Sequence, residues 1–124
     1  RNPRVLNALG ADAERRGQTN EALRLYMSAT AADNGYAKPR TNLGLLLLKM
    51  KPRDMEGAKG QLSISLSLYD GDPETWLGLA LISRLEGDEA TCAKLLGKAV
   101  ELGGPEYNRK FEAQLATAAL APET

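Results

Sequence analysis

Histidine is absent from the 124 residues, and with it go the commonest general base, the usual middle member of a catalytic triad and the commonest metal ligand. Cysteine occurs once, at Cys92, so neither an intramolecular disulfide nor a cysteine zinc site can form. Long apolar runs are missing too. No stretch, Leu45 to Leu48 included, approaches the roughly 20 residues of a membrane helix. An excess of one charge is also lacking: Lys plus Arg number 16 and Asp plus Glu number 16, which leaves nothing to draw in nucleic acid or an anionic membrane. Asp12 with Glu14, and Asp70 with Asp72, are carboxylate pairs by spacing only and read as solvated faces and caps, and Gly103-Gly104 reads as a helix stop, not a phosphate cradle. The expectation is one domain with no catalytic residues, no metal, no cofactor and no turnover of its own.

What is there is a helical hairpin, copied. From Pro73 to Leu102, apolar residues recur at three- and four-residue spacing on both sides of a turn at Gly87-Asp88. Asp72 suits an N-cap and Pro73 the first helical position. Small residues at Ala80, Cys92 and Ala99 fall where the helices cross closely, while Trp76, Leu79 and Leu96 fill the space around them. The first hairpin repeats this pattern at a constant offset of 70, which matches Leu6 to Trp76, Leu9 to Leu79, Gly10 to Ala80, Gly17 to Gly87, Ala22 to Cys92, Tyr26 to Leu96 and Ala29 to Ala99. Asn2 and Pro3 start it as Asp72 and Pro73 start the third.

The middle copy shows how that offset divides. Gly10 to Gly44 is 34 and Gly44 to Ala80 is 36, whereas Ala22 to Ala58 is 36 and Ala58 to Cys92 is 34. The period is therefore 34 with two extra residues between Gly44 and Ala58, and Lys51-Pro52 is their natural place because proline after Met50 ends the helix. The second hairpin then runs from Ala37 to about Met50 and from Met55 to about Leu68. Its second helix is weak by propensity, with two glycines and three serines. Ser63, Ser65 and Ser67 also fit a strand alternation, but the repeat register favours helix. After Gly103-Gly104-Pro105, a last helix carries Tyr107, Phe111, Leu115 and Ala118 on one face, as a cap over the third hairpin should. The tail 121–124 is expected to fray.

These residues and this period resemble the tetratricopeptide repeat family. The carrying positions are Leu6, Leu9, Gly10, Gly17, Ala22, Tyr26 and Ala29, then Leu43, Gly44, Leu47, Ala58 and Leu62, then Trp76, Leu79, Ala80, Gly87, Cys92, Leu96 and Ala99. Arg40 stands where a large apolar residue is usual and Ser65 where alanine is usual. The resemblance implies an all-α fold of three hairpins, at about 3–36, 37–72 and 73–106, plus a capping helix at about 106–119. It further implies a right-handed superhelix whose first helices line a concave groove for a peptide or helix. Carried over, the groove residues are Arg4, Asn7, Ala8, Ala11, Glu14 and Arg15, then Lys38, Thr41, Asn42, Leu45, Leu48 and Lys49, then Glu74, Leu77, Gly78, Leu81, Arg84 and Leu85.

Within that groove the expected partner-binding residues are Asn7, Arg15, Lys38, Asn42, Leu45, Leu48, Lys49, Leu77, Leu81 and Arg84. Leu45 and Leu48 exceed the apolar stripe that one hairpin helix needs. They join Leu77 and Leu81 either as an open apolar wall or as packing against a neighbouring helix. Asn42 can donate to and accept from a bound backbone, the alternative being a solvated helix residue. Arg15, Lys38, Lys49 and Arg84 form a basic rim, so the expected partner is an apolar protein segment with acidic flanks. A clamp for a C-terminal carboxylate is disfavoured, since Asn7, Ala11, Glu74 and Gly78 occupy the sites where such clamps add basic residues and a second asparagine. Cys92 is expected to be a structural thiol.

The function expected is a non-catalytic adaptor or assembly factor. LNALG at Leu6 to Gly10 and TNLGLLL at Thr41 to Leu47 look like short repeat lipoproteins that assist bacterial pili and secretion channels. Two alternatives stand beside it: a self-association module, and a regulatory segment of a larger enzyme. The sequence starts at Arg1 rather than Met, which leaves room for processing or a longer parent protein. The compartment stays open between cytoplasm and, with a leader or lipid anchor removed, bacterial periplasm.

Overall fold

Helices begin in this chain where a short polar side chain meets the first free amides. In the computed structural model, which describes the backbone of residues 1–120 and the side chains of residues 1–117, Asn2 Oδ1 accepts from Arg4 N at 2.9 Å and Val5 N at 3.3 Å, and so opens α1 (Pro3–Arg15). Asp72 Oδ1 accepts from Glu74 N at 2.9 Å and opens α5 (Pro73–Leu85) in the same way. Asp54 caps α4 (Met55–Leu68) through Gly57 N at 2.8 Å, and Asp88 caps α6 (Glu89–Gly103) through Thr91 N at 3.1 Å. α2 (Thr19–Ala32), α3 (Lys38–Lys49) and α7 (Glu106–Leu120) complete the set. Among the described residues there is no strand, so the alternation of Ser63, Ser65 and Ser67 lies in a helix.

The turns follow the repeat. Gly17 at φ 76° and Gly87 at φ 84° take the left-handed conformation that ends the first helix of hairpins one and three. Residues 16–18 and 86–88 suffice there, whereas residues 50–54 join α3 to α4, so the two extra residues lie around Lys51-Pro52, a cis peptide. Gly104, at φ 104°, stops α6.

Three antiparallel hairpins, α1–α2, α3–α4 and α5–α6, stack in chain order, with α2 on α3, α4 on α5 and α6 on α7. The odd-numbered helices touch one another from α1 to α7, and α7 also reaches α3, while among the described residues no even-numbered helices touch each other. The odd-numbered helices therefore form one continuous row, the inner row, and the even-numbered helices lie outside it. Close crossings fall where the sequence puts small residues: Ala22, Ala29, Ala58, Ala80, Cys92 and Ala99 are all buried. A Cβ on Gly10 would come within 2.6 Å of the Tyr26 ring, and one on Gly44 within 2.7 Å of Leu62.

The two departures of the middle hairpin from the repeat pattern have local explanations. Arg40 Nη1 donates to Gln61 Oε1 at 3.1 Å, which ties α3 to α4 by a polar contact where an apolar one is usual. Ser65 is buried and donates to the Ala37 carbonyl at 3.1 Å. Its single proton being spent there, Thr41 must donate to Ser65 across 2.6 Å, and Thr75 to Thr41 across 2.8 Å. One hydroxyl chain thus links α5, α3 and α4 through the interior.

Phe111 of α7 is fully buried against the third hairpin, with Tyr107 and Leu115 partly buried beside it. The side chain of Ala118, expected on the same face, and the tail 121–124 lie outside the described residues.

Candidate partner-binding face

The inner row is tied together by polar pairs one repeat apart. Asn42 Nδ2 donates to Asn7 Oδ1 at 2.9 Å. Lys49 Nζ lies 3.0 Å from Glu14 Oε2, whose other oxygen accepts from the Tyr26 hydroxyl at 2.7 Å. Lys38 Nζ lies 3.0 Å from Asp72 Oδ2. At the far end Glu74 Oε2 accepts from the Tyr107 hydroxyl at 2.7 Å and also takes Lys110 Nζ of α7. Burial, reinforced by the neighbouring carboxylates, pushes the Tyr26 and Tyr107 phenols above their usual range. Burial likewise pushes the Cys92 thiol up, which suits a packed thiol and not a nucleophile.

The structure brings the expected site residues onto one row of helices, but two parts of the expected site change character. The leucine wall is not open. Leu45, Leu48, Leu77 and Leu81 are 9%, 3%, 0% and 2% exposed. Leu45 sits against the notch at Gly78, where an added Cβ would meet it at 3.0 Å, and Leu48, Leu77 and Leu81 share a core with Phe111 of α7. The leucines beyond the hairpin stripe serve contacts between repeats and with α7. Thr41 is buried as well, in the hydroxyl chain.

The basic rim is not free either. Arg15 pairs with Asp12 at 3.0 Å, Lys38 with Asp72, Lys49 with Glu14, and Arg84 Nε with Glu89 Oε1 at 2.9 Å. The Arg84 guanidinium also lies 5.2 Å from the centre of the Phe111 ring. Reading one helix face at a time set Glu14 and Glu74 in the groove but missed that Glu14 and Asp72 neutralise Lys49 and Lys38, and that Glu74 pairs with Lys110 of α7. The signal was present, because Glu14 and Lys49, Lys38 and Asp72, and Glu74 and Lys110 each stand one repeat apart with opposite charge.

What stays open on the inner row is its amino-terminal half. Arg4, Ala8 and Arg15 are exposed and Ala11 is half-buried. Beside them lies the Asn7–Asn42 bridge, where Asn7 is only 9% exposed and Asn42 half-buried; Asn7 Nδ2 remains a donor and Asn42 Oδ1 an acceptor, side by side on adjacent helices. Between α3, α5 and α7 lies a cavity of about 140 Å³ lined by Leu45, Leu48, Lys49, Leu81, Gln114 and Thr117. Among the described residues no group of three or more acidic or cysteine side chains is placed to hold a metal ion, and no helix is long and apolar enough to cross a membrane.

No protein-family model matches the sequence, and neither does any curated protein. Solved structures do match. The first TPR of Spaghetti (RPAP3), bound to the HSP90 peptide SRMEEVD, superposes at TM-score 0.77 over 96% of this chain and 94% of that one, with 15% identity. The Yersinia enterocolitica type III secretion translocator chaperone SycD, in an alternative dimer, superposes at TM-score 0.70 over 95% of this chain and 92% of that one, with 16% identity. At such identity the likeness defines the fold, an all-helical stack of tetratricopeptide type.

Proposed function

We propose that the chain is a non-catalytic protein interaction module that holds a polypeptide segment against the inner face of α1 and α3. The observation that carries this is the Asn7–Asn42 bridge, which leaves one amide donor and one amide acceptor next to each other on the inner row, with Asn42 half-buried, Asn7 only 9% exposed, and Arg4 and Ala8 exposed around them. That pair matches the carbonyl and N–H of an extended backbone, and gives affinity without demanding a particular partner side chain. The two structural neighbours, one bound to a peptide and one a chaperone, support a protein as the partner. The finer reading, an assembly factor for a bacterial pilus or secretion channel, draws support from the short phrases LNALG and TNLGLLL and from the secretion chaperone among the neighbours.

The leucines enter this reading as the frame of the face. The rim cations, already paired, set salt sensitivity more than affinity, except that Lys49, with one contact to Glu14, keeps protons to donate. The test is selection of random twelve-residue peptides displayed on phage against the folded chain, followed by titration of the selected peptides against an Asn7→Ala plus Asn42→Ala variant. We expect binders whose affinity falls about 5- to 150-fold in the variant, as loss of hydrogen bonds to a buried backbone implies. An unselective panning, or binders indifferent to both substitutions, would remove the inner face from consideration.

A further inference from the structure

The cavity at the junction of α3, α5 and α7 has a floor and walls of different chemistry. Leu45, Leu48 and Leu81 supply apolar surface, while Lys49 of α3 and Gln114 and Thr117 of α7 supply polar groups. α7 seats closely at one end, where Phe111 is fully buried and Glu74 holds Tyr107 and Lys110. α7 also touches α3 and packs Leu115 on the core, and between the three helices the gap lined by Gln114 and Thr117 remains. The gap measures about 140 Å³, close to the roughly 150 Å³ of a leucine- and phenylalanine-lined cavity that takes up benzene. That is room for one leucine- or phenylalanine-sized side chain and too little for a whole helix.

The gap also lies on the face where the Asn7–Asn42 pair stands. Lys49 flanks it with an ammonium that gives one contact to Glu14 and has three protons to donate. We propose that this gap is the specificity pocket of the inner face: it takes one apolar anchor side chain, leucine or phenylalanine, of a bound polypeptide, whose neighbouring carboxylate meets Lys49. This rests on the peptide-holding reading above and adds to it the anchor and the role of α7, which forms one wall of a binding site in addition to covering the core. A partner anchored here gains apolar contact with Leu45, Leu48 and Leu81 while its acidic neighbour stays in water.

Phage-displayed random twelve-residue peptides test this too, panned in parallel against the parent chain, Thr117→Trp and Gln114→Ala. Thr117 is exposed, so an indole there fills the gap from outside without entering the core. Peptides selected on the parent should share a leucine or phenylalanine beside an aspartate or glutamate, bind Thr117→Trp at least tenfold more weakly, and leave its helical content and melting unchanged. Gln114→Ala enlarges the gap and should shift the selected anchor towards tryptophan. Parent-selected peptides that bind Thr117→Trp as well as the parent would overturn the pocket. If those same peptides lose affinity in the Asn7→Ala plus Asn42→Ala variant, the peptide-holding reading survives that result. Should Thr117→Trp fail to fold, an unshifted anchor in Gln114→Ala overturns the pocket by itself.

Discussion

Gly78 and Gly97 look alike in the sequence, two glycines inside helices, and the structure gives them opposite meanings. A Cβ on Gly78 would meet Leu62 at 2.8 Å and Leu45 at 3.0 Å, so the missing side chain makes the notch that lets α3, α4 and α5 close on one another. Gly97 faces open space within α6 and makes no such contact. Gly78→Ala should therefore destabilise the chain by about 1–3 kcal/mol through overpacking. Gly97→Ala should stabilise it by about 0.5–1 kcal/mol, since alanine removes backbone freedom from the unfolded chain and fits the helix. Urea titration of both variants checks the pair, and a destabilised Gly97→Ala or a neutral Gly78→Ala would contradict the packing. The same contrast explains what was legible at this scale. Small residues at Ala22, Ala58, Cys92 and Ala99 could be read from their period. That Leu45 fills a glycine notch on the next repeat could not, because the contact joins two helices 33 residues apart, and no single helix's pattern contains it.

At the scale of elements, the helices with strong caps and clean periodicity, α1, α5 and α6, follow from Asn2, Asp72 and Asp88 and from the glycines that end them. α4 was harder, since its glycines and serines give little propensity. It is held as a helix by Ala58, Leu62 and Ser65, all buried against α3 and α5. α7 was legible as an amphipathic cap but not as a wall of the inner face, because its contact with α3 joins elements of different repeats and no single helix's pattern contains it. Its attachment makes a prediction. Among the described residues of α7, Phe111 alone is fully buried, and Phe111→Ala should cost about 3–5 kcal/mol. Glu74→Gln, which keeps the shape but removes the charge facing Lys110, should cost far less. Hydrogen exchange should then show the amides of α7 opening selectively in Phe111→Ala, ahead of those in α1 and α2. Uniform loss of protection across all helices would mean that α7 and the hairpins form one indivisible unit.

For the whole molecule, stability in a stack of repeats is carried by each hairpin and the neighbours that cover it. α5–α6 is covered by α4 on one side and α7 on the other, and its cluster includes Leu77, Ile82, Cys92, Ala99 and Phe111, none more than 1% exposed. Among the described residues, α1–α2 is covered by α3 alone. On its other side a cleft of about 780 Å³ lies over Leu6, Ala13 and Leu25, and Leu9 and Val5 beside it are 49% and 52% exposed. The two clusters share Leu47 as a partly buried member, so they communicate without being one core. Opening of α1–α2 therefore exposes less apolar surface than opening of α5–α6, and costs less free energy. Native-state hydrogen exchange should find the slowest amides of α2 exchanging at least tenfold faster than those of α6. Leu25→Ala should widen the gap, because it removes buried surface from the first hairpin and touches nothing in the third. If the substitution instead accelerates α2 and α6 by the same factor, the three hairpins open together, and coupling through α3 outweighs the smaller core of the first hairpin.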